Sequence, residues 1–304
     1  MLNQMWKLIR QSGVVVPGFS PKAIVNRVRF VLVGIKHYRW FGPIVSPNPG
    51  SAVDRLMRER PEMLGILIWP YQCSSWDARE RIERVTNHCS VIDELGEAYS
   101  FSIEERLVIA DLGDKFDELR LVLDQPRWFM REGQLTMNLF VENYRAFSVA
   151  FSFYRDPDGA LCTVIGGVQG RNHDDSLGLY RDLTKALYGL RPRDLLLEVV
   201  RIFSQLAGGS SILAVSDGYR HHRHPYFGQR SFPTDYDAVW ADRGGDPLDD
   251  YFYSLPAEKV RRDFETIKPK KRSLYRKRFE FLDDLESRIV KDFGTWKPVR
   301  FVDL

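Results

Sequence analysis

Residues 135–170 read LTMNLFVENYRAFSVAFSFYRDPDGALCTVIGGVQG, and their period of two decides the fold class. Leu135, Met137, Leu139 and Val141 form one alternating apolar set, and Phe147, Val149, Phe151 and Phe153 form another after the short connection Glu142–Arg145. Successive residues of a strand point to opposite faces, so each run predicts a strand with one buried face. The turn Asp156-Pro157-Asp158-Gly159 leads into Leu161, Thr163 and Ile165 and completes an antiparallel meander. Segments 106–111 and 119–123 extend it as further strands.

Working outward, the period changes to that of a helix. Asp77 and Glu80 have capping-box spacing ahead of Ile82, Val85, Cys89 and Ile92, which predicts a helix over 77–95. Helices are also expected near 52–60, over 175–188, over 192–207 between Pro192 and Gly208-Gly209, and behind the face Tyr275, Phe279, Leu282, Leu285 and Ile289. Leu64–Trp69 reads as a short apolar strand, Ser211–Ser216 as a central one and Tyr251–Leu255 as the last. Residues 217–250 read as a long irregular connection holding one short helix. The fold class is therefore α+β: a central antiparallel meander sheet with flanking helices. Pro43, Pro47, Pro49 and Gly50 separate a basic helical arm, 1–50, from a single domain, 51–304.

The composition, 44% hydrophobic and 28% charged, is that of a globular protein able to bury a large core. Cys73, Cys89 and Cys162 are too few and too scattered for a disulfide framework or a cysteine-based zinc site. No apolar run reaches the length of a membrane span, and no secretory leader is recognisable, so a cytoplasmic location is expected.

The net charge of +3 hides an asymmetry. Residues 1–53 hold seven basic side chains and no acid, and residues 259–278 carry +8, leaving an acidic middle. The basic ends either pack on that middle or meet an anionic partner: a small molecule, a tRNA-like donor or a lipid surface. Within 21–40, Ile24, Val28, Val31 and Ile35 recur at helical spacing beside Arg27, Arg29, Lys36 and Arg39. This face is expected to dock on the body, although the same pattern suits an anionic membrane.

Five segments, in this order, resemble the VirK/YbjX family of bacterial proteins: Ile165–Gly170 (IGGVQG), Gly189–Pro192 (GLRP), Ile212–Ser216 (ILAVS), Tyr236–Trp240 (YDAVW) and Lys270–Arg278 (KKRSLYRKR). The resemblance runs from about residue 40 to 290. It implies a cytoplasmic protein linked genetically to virulence, cell-envelope properties and resistance to cationic peptides, and it carries over no agreed catalytic residue. The element order also resembles the GNAT acyltransferase layout, in which splayed strands hold the donor's pantetheine arm. The pyrophosphate loop of that layout is not matched after Val168, so an acyl or aminoacyl donor other than coenzyme A fits the basic ends better.

Candidate site residues follow from chemistry. Gly166, Gly167, Gln169 and Gly170 end a strand where a backbone or a ligand approaches closely. His221, in the run His221-His222-Arg223-His224, and His173, next to Asp174, are acid–base candidates, as is Asp237 between Tyr236 and Trp240. Adjacent histidines rarely converge on one ion and no carboxylate stands at a recognised ligand spacing, so no metal is expected. Lys271, Arg272, Tyr275, Arg276 and Arg278 stand near the start of the last helix, where the dipole disfavours cations, and so call for a negative partner. Two functions fit: an acyl- or aminoacyl-group transferase with an anionic donor, or a non-catalytic regulatory protein that binds an anionic surface. A transferase requires the 165–173, 217–224 and 270–278 segments to converge on one cleft.

Overall fold

The computed structural model describes residues 2–171, 176–228 and 234–300. Among these residues nine strands form one open sheet: β1 Glu105–Asp111, β2 Leu119–Asp124, β3 Leu135–Val141, β4 Tyr144–Arg155, β5 Leu161–Gly170, β6 Gly209–Val215, β7 Asp246–Pro247, β8 Phe252–Leu255 and β9 Val299–Arg300. Their order is β7-β8-β6-β5-β4-β3-β2-β1-β9, and every neighbouring pair is antiparallel except β5–β6.

The alternation sets the register. Leu135 opposes Phe151, Met137 opposes Val149 and Leu139 opposes Phe147, while Leu121 and Leu123 of β2 continue the same rows. Nearly all of these side chains are fully buried. Each contributes roughly 1.5–3 kcal/mol by the apolar area it removes from water. Helix α7 (Pro192–Leu206) covers β3 to β6. Thr163 on β5 bonds Ser204 of this helix at 2.8 Å. The opposite face is more polar: Thr136, Asn138, Ser148 and Ser152 are buried there, and Tyr71 meets Ser152 at 2.9 Å.

Helices α1 Leu2–Val15, α2 Pro21–Lys36, α3 Tyr38–Val45, α4 Ala52–Glu59 and α5 Ala78–Leu95 precede the sheet, α6 Ser176–Ala186 precedes α7, and α8 Tyr236–Asp242 and α9 Pro269–Asp292 follow β6 and β8. The capping box of α5 is present in both directions, Asp77 to the Glu80 amide and Glu80 to the Asp77 amide. The three cysteines are buried free thiols.

Three expectations are corrected. Leu64–Trp69 is no strand; Pro61–Leu67 forms a 3₁₀ helix, because a short apolar run reads the same in either state and Pro61 presets its first turn. Tyr251–Leu255 does contain a strand, but β9 at the far edge is the last. The third concerns α2, which buries Ala23, Phe30 and Gly34, while Ile24, Val28 and Ile35 are exposed and Val31 is half-buried. The helix is apolar on two sides, and the side with small residues wins because α1 comes close there. A Cβ on Gly34 would stand 2.9 Å from Leu8.

Candidate functional site

The parallel pairing of β5 with β6 stops at Ile165–Ala214, yet β5 runs on to Gly170 paired only with β4. Past that point the flank of β5 is open, and other parts of the chain fill it. Gly166 is the extra residue of a bulge. The segment 131–133 crosses directly over it: a Cβ on Gly166 would lie 2.1 Å from the Glu132 carbonyl oxygen, and one on Gly167 1.8 Å from Glu132 Oε2. The two glycines therefore exist for close approach, and what approaches is Glu132.

Backbone hydrogen bonds stitch three distant loops together here. The Gln72 amide donates to Arg131 O (2.7 Å), the His221 amide to Gln72 O (3.0 Å) and the Ser74 amide to Tyr219 O (2.7 Å). Gln72 has φ of 47°, a conformation non-glycine residues rarely adopt, and its side chain donates to Val164 O at 3.1 Å. Strain of this kind persists only where the surroundings enforce it. Tyr236, at the start of α8, fills the rest of the gap; its hydroxyl accepts from Val168 N (3.0 Å) and donates to Val168 O (3.2 Å).

Into this frame project Glu132, His221 and His222. One ligand-type atom from each lies within 4.8 Å of the others. Gln169 donates to Glu132 Oε1. Glu132 is 2% and His221 3% exposed, and Glu132 Oε2 and His221 Nδ1 have no hydrogen-bond partner among the described residues. Burial pushes the Glu132 carboxyl up to about 8, against the pull of Arg220 and the Gln169 bond. Burial, then His222, Arg131 and Arg220, hold His221 well below the usual imidazole range, so it is neutral. Arg131 lies over Trp69, and Arg220 pairs with Asp217 at 3.3 Å. A carboxyl whose proton is held near neutrality beside a neutral imidazole suits proton transfer, and a metal ion there would have to displace that proton.

The residues marked from sequence distribute unevenly. Gly166, Gly167, Gln169 and His221 meet at this cluster. Gln169 and Gly170 also line a hollow of about 310 Å³ with Trp128, Arg145 and Arg171. Asp237 accepts the Asp217 amide at 2.8 Å and thereby holds the 217–221 loop, with no ion pair to a basic residue among the described residues. His173 lies outside the described residues.

The basic run forms a second place altogether. Lys271, Tyr275 and Arg278 line a hollow of about 420 Å³ with α7 and the 242–262 segment, and none of its lining residues comes from 165–170 or 217–224. The three-way convergence expected of a transferase is therefore absent among the described residues. Helix α8 touches both places: Tyr236 bonds Val168 at one end, and Asp242 at its other end lines the hollow. In the hollow, Arg201, Arg243, Lys259 and Arg261 pair with Glu198, Asp283 and Glu286. Arg262, Lys271 and Arg278 meet no carboxylate among the described residues. Arg278 donates to Tyr188 O (3.0 Å) and stacks on Tyr275. Arg272 turns away to Ile267 O (3.0 Å) and Glu265, and Arg276 toward Phe264.

A family model described as "Protein of unknown function (DUF535)" matches residues 20–291. The chain belongs to the DUF535 family. A relative from Haemophilus influenzae is 28% identical over 230 residues, spanning 74% of this chain and 76% of its own. YbjX of Escherichia coli K12 is 27% identical over 246 residues, 78% of this chain and 74% of its own. Both carry the description "uncharacterized protein". The YbjX-type resemblance read from five motifs thus holds, and the DUF535 match takes in α2 as well as both candidate sites. No solved structure matches the chain significantly.

Glu132, Gln72 and Tyr236 were not assigned site roles from sequence. The glycine pair at 166–167 was the one signal of close approach, and it names no partner; Glu132 is 34 residues away along the chain.

Proposed function

We propose that this protein works at an anionic lipid surface, which it engages through the α1–α2 hairpin. One observation carries the reading: the hairpin turns a contiguous apolar face to solvent in a stretch without a single acid. Trp6 (65%), Phe19 (84%), Val25 (65%) and Leu32 (62%) are exposed, with Ile9, Val14, Ile24, Val28 and Ile35 beside them. On α2, Val25, Val28 and Leu32 share one stripe opposite the buried Ala23, Phe30 and Gly34. Lys22, Arg29 and Lys36 recur every seven residues along its edge. Apolar patches of this extent mark interaction sites. A bilayer takes the hydrocarbon, and its anionic head groups add about 1 kcal/mol per nearby Lys or Arg. No helix of the described residues is long and apolar enough to cross a membrane. The hairpin would lie in the interface.

The test is co-sedimentation of the full chain with phosphatidylcholine vesicles, with and without phosphatidylglycerol. Binding is expected only to the anionic vesicles, weakening with salt, and the pair Val25→Asp, Leu32→Asp should reduce it roughly tenfold or more. Unchanged sedimentation of that pair, or a dimer that the pair dissociates in place of vesicle binding, would sink the reading.

A second reading, group transfer from an acyl or aminoacyl donor, is supported by the strand order. A meander followed by a helical crossover to a parallel strand, with β8 inserted beside β6 and β7 at the edge, supports it, since such an order resembles the GNAT layout. This is likeness of topology alone. The Val168 amide is already engaged by Tyr236, so a donor would be held otherwise, and the basic hollow offers unpaired cations for its phosphates. Filter binding of aminoacyl-tRNA and of acetyl-coenzyme A to wild type and to Lys271→Ala, Arg278→Ala tests it. If neither donor binds, or the double variant binds equally well, this reading goes.

A further inference from the structure

We propose that Glu132, His221 and His222 form a binding site for a divalent transition-metal ion. The proposal is independent of lipid docking and of group transfer.

Three facts converge. One ligand atom from each of the three residues lies within 4.8 Å of the other two. Ligands held about 2.1 Å from one ion stand roughly 3–3.5 Å apart, so the triad needs to close by little more than an ångström. Two of the three residues also carry a donor atom that is sealed from water and has no partner among the described residues, Glu132 Oε2 and His221 Nδ1. Buried polar atoms are almost always paired, and an ion between them would satisfy both at once. Finally, a supporting shell is in place. Gln169 holds the other oxygen of Glu132. The His221 backbone is tied to Gln72, and Phe227 packs against both imidazoles, 5.5 and 5.3 Å between ring centres. Metal sites depend on this kind of outer support to fix ligand orientation.

The sequence argument against a metal was that neighbouring histidines lack a carboxylate at ligand spacing. The fold supplies one from the other side of the sheet bulge, across 89 residues of chain. Two imidazoles and one carboxylate suit zinc, iron(II), cobalt(II) or nickel(II), whereas magnesium and calcium call for oxygen-rich shells. Three protein ligands leave positions open for water or a small oxygen ligand, as in sites that perform chemistry and unlike closed structural ones. Arg131 and Arg220 stand near and oppose the cation's charge. Asp217 offsets Arg220, and Arg131 is spread over Trp69.

Metal-stripped full-length protein should be titrated with zinc(II) by calorimetry and with cobalt(II) by electronic absorption. One equivalent is expected to bind, with cobalt bands of nitrogen and oxygen ligation. His222→Ala, at a half-buried position that tolerates truncation, and Glu132→Gln should abolish uptake. Gln169→Ala should weaken it about 10–100-fold, the usual effect of losing an outer partner. Cys73→Ser should bind as wild type, which excludes the thiol on the strand rung bridged to Arg220. No uptake by wild type, or uptake by folded His222→Ala equal to wild type, overturns the proposal; so does a sulfur-to-cobalt charge-transfer band lost in Cys73→Ser.

Discussion

The Glu132 cluster and the α1–α2 hairpin depart from the same rule in opposite directions. One buries a carboxyl oxygen and an imidazole nitrogen, Glu132 Oε2 and His221 Nδ1, that meet no partner among the described residues, and the other leaves leucine, valine, phenylalanine and tryptophan in water. Folding alone rewards neither, because an unpaired buried polar atom costs free energy and an exposed apolar face recovers none. The apolar rows of β3 and β4 obey the rule: Leu135, Met137, Leu139, Val149 and Phe151 are fully buried. The contrast separates residues kept for the fold from residues kept for something the fold must meet.

The two sides of α2 give the largest stability contrast. Phe30→Ala, on the buried side, is expected to cost about 3–5 kcal/mol in denaturant unfolding. Leu32→Asp, two residues on, should change stability by less than about 0.5 kcal/mol while removing vesicle binding. Equal costs at both positions would mean the exposed stripe is structural after all.

His88 is the buried polar group that needs no ligand, since its Nδ1 accepts the Phe153 amide at 3.1 Å. Burial, and then Arg60, depress it to about 3 from the ordinary 6.5. The unfolded chain therefore takes up a proton that the folded one refuses. Stability is full above pH 6.5 and falls as pH drops toward 3, by about 1.4 kcal/mol per unit. In His88→Gln that slope should flatten in urea titrations at several pH values. An unchanged slope would mean that other groups govern acid unfolding.

A smaller effect is expected at the Tyr236 plug. Tyr236→Phe leaves the Val168 amide and carbonyl unanswered and should cost about 1–3 kcal/mol, read from thermal unfolding. The smallest belongs to the basic run. Lys271→Gln removes a cation from the first turn of α9 and should stabilise the protein by about 0.3–1 kcal/mol while weakening anion binding. Loss of stability would instead show Lys271 to be satisfied within the chain.

Much of the frame was legible in the sequence because it rests on local repetition. The meander follows from period two, α5 from its capping box, and α7 from Pro192 and the glycines beyond it. Where the signal was ambiguous in principle, the reading failed. The run Leu64–Trp69 is too short to distinguish states, and α2 has two apolar stripes, of which packing with Leu8 selects one. The cluster was half legible. His221 and the glycines stood out by type, but Glu132 precedes an ordinary strand, and only the crossing of 131–133 over the bulge brings it to the histidines.

Each edge of the nine-stranded sheet ends in a two-residue strand, Asp246–Pro247 on one side and Val299–Arg300 on the other. Unpaired edges are templates for aggregation, and brevity, proline and charge are how proteins blunt them. Proline offers no amide to a newcomer, and a two-residue rung is too short to nucleate a continuing ladder. These rungs shield the stretches of β1 and β8 that they pair with, Glu105–Arg106 on one edge and Tyr253–Ser254 on the other, and give a second copy little backbone there to extend.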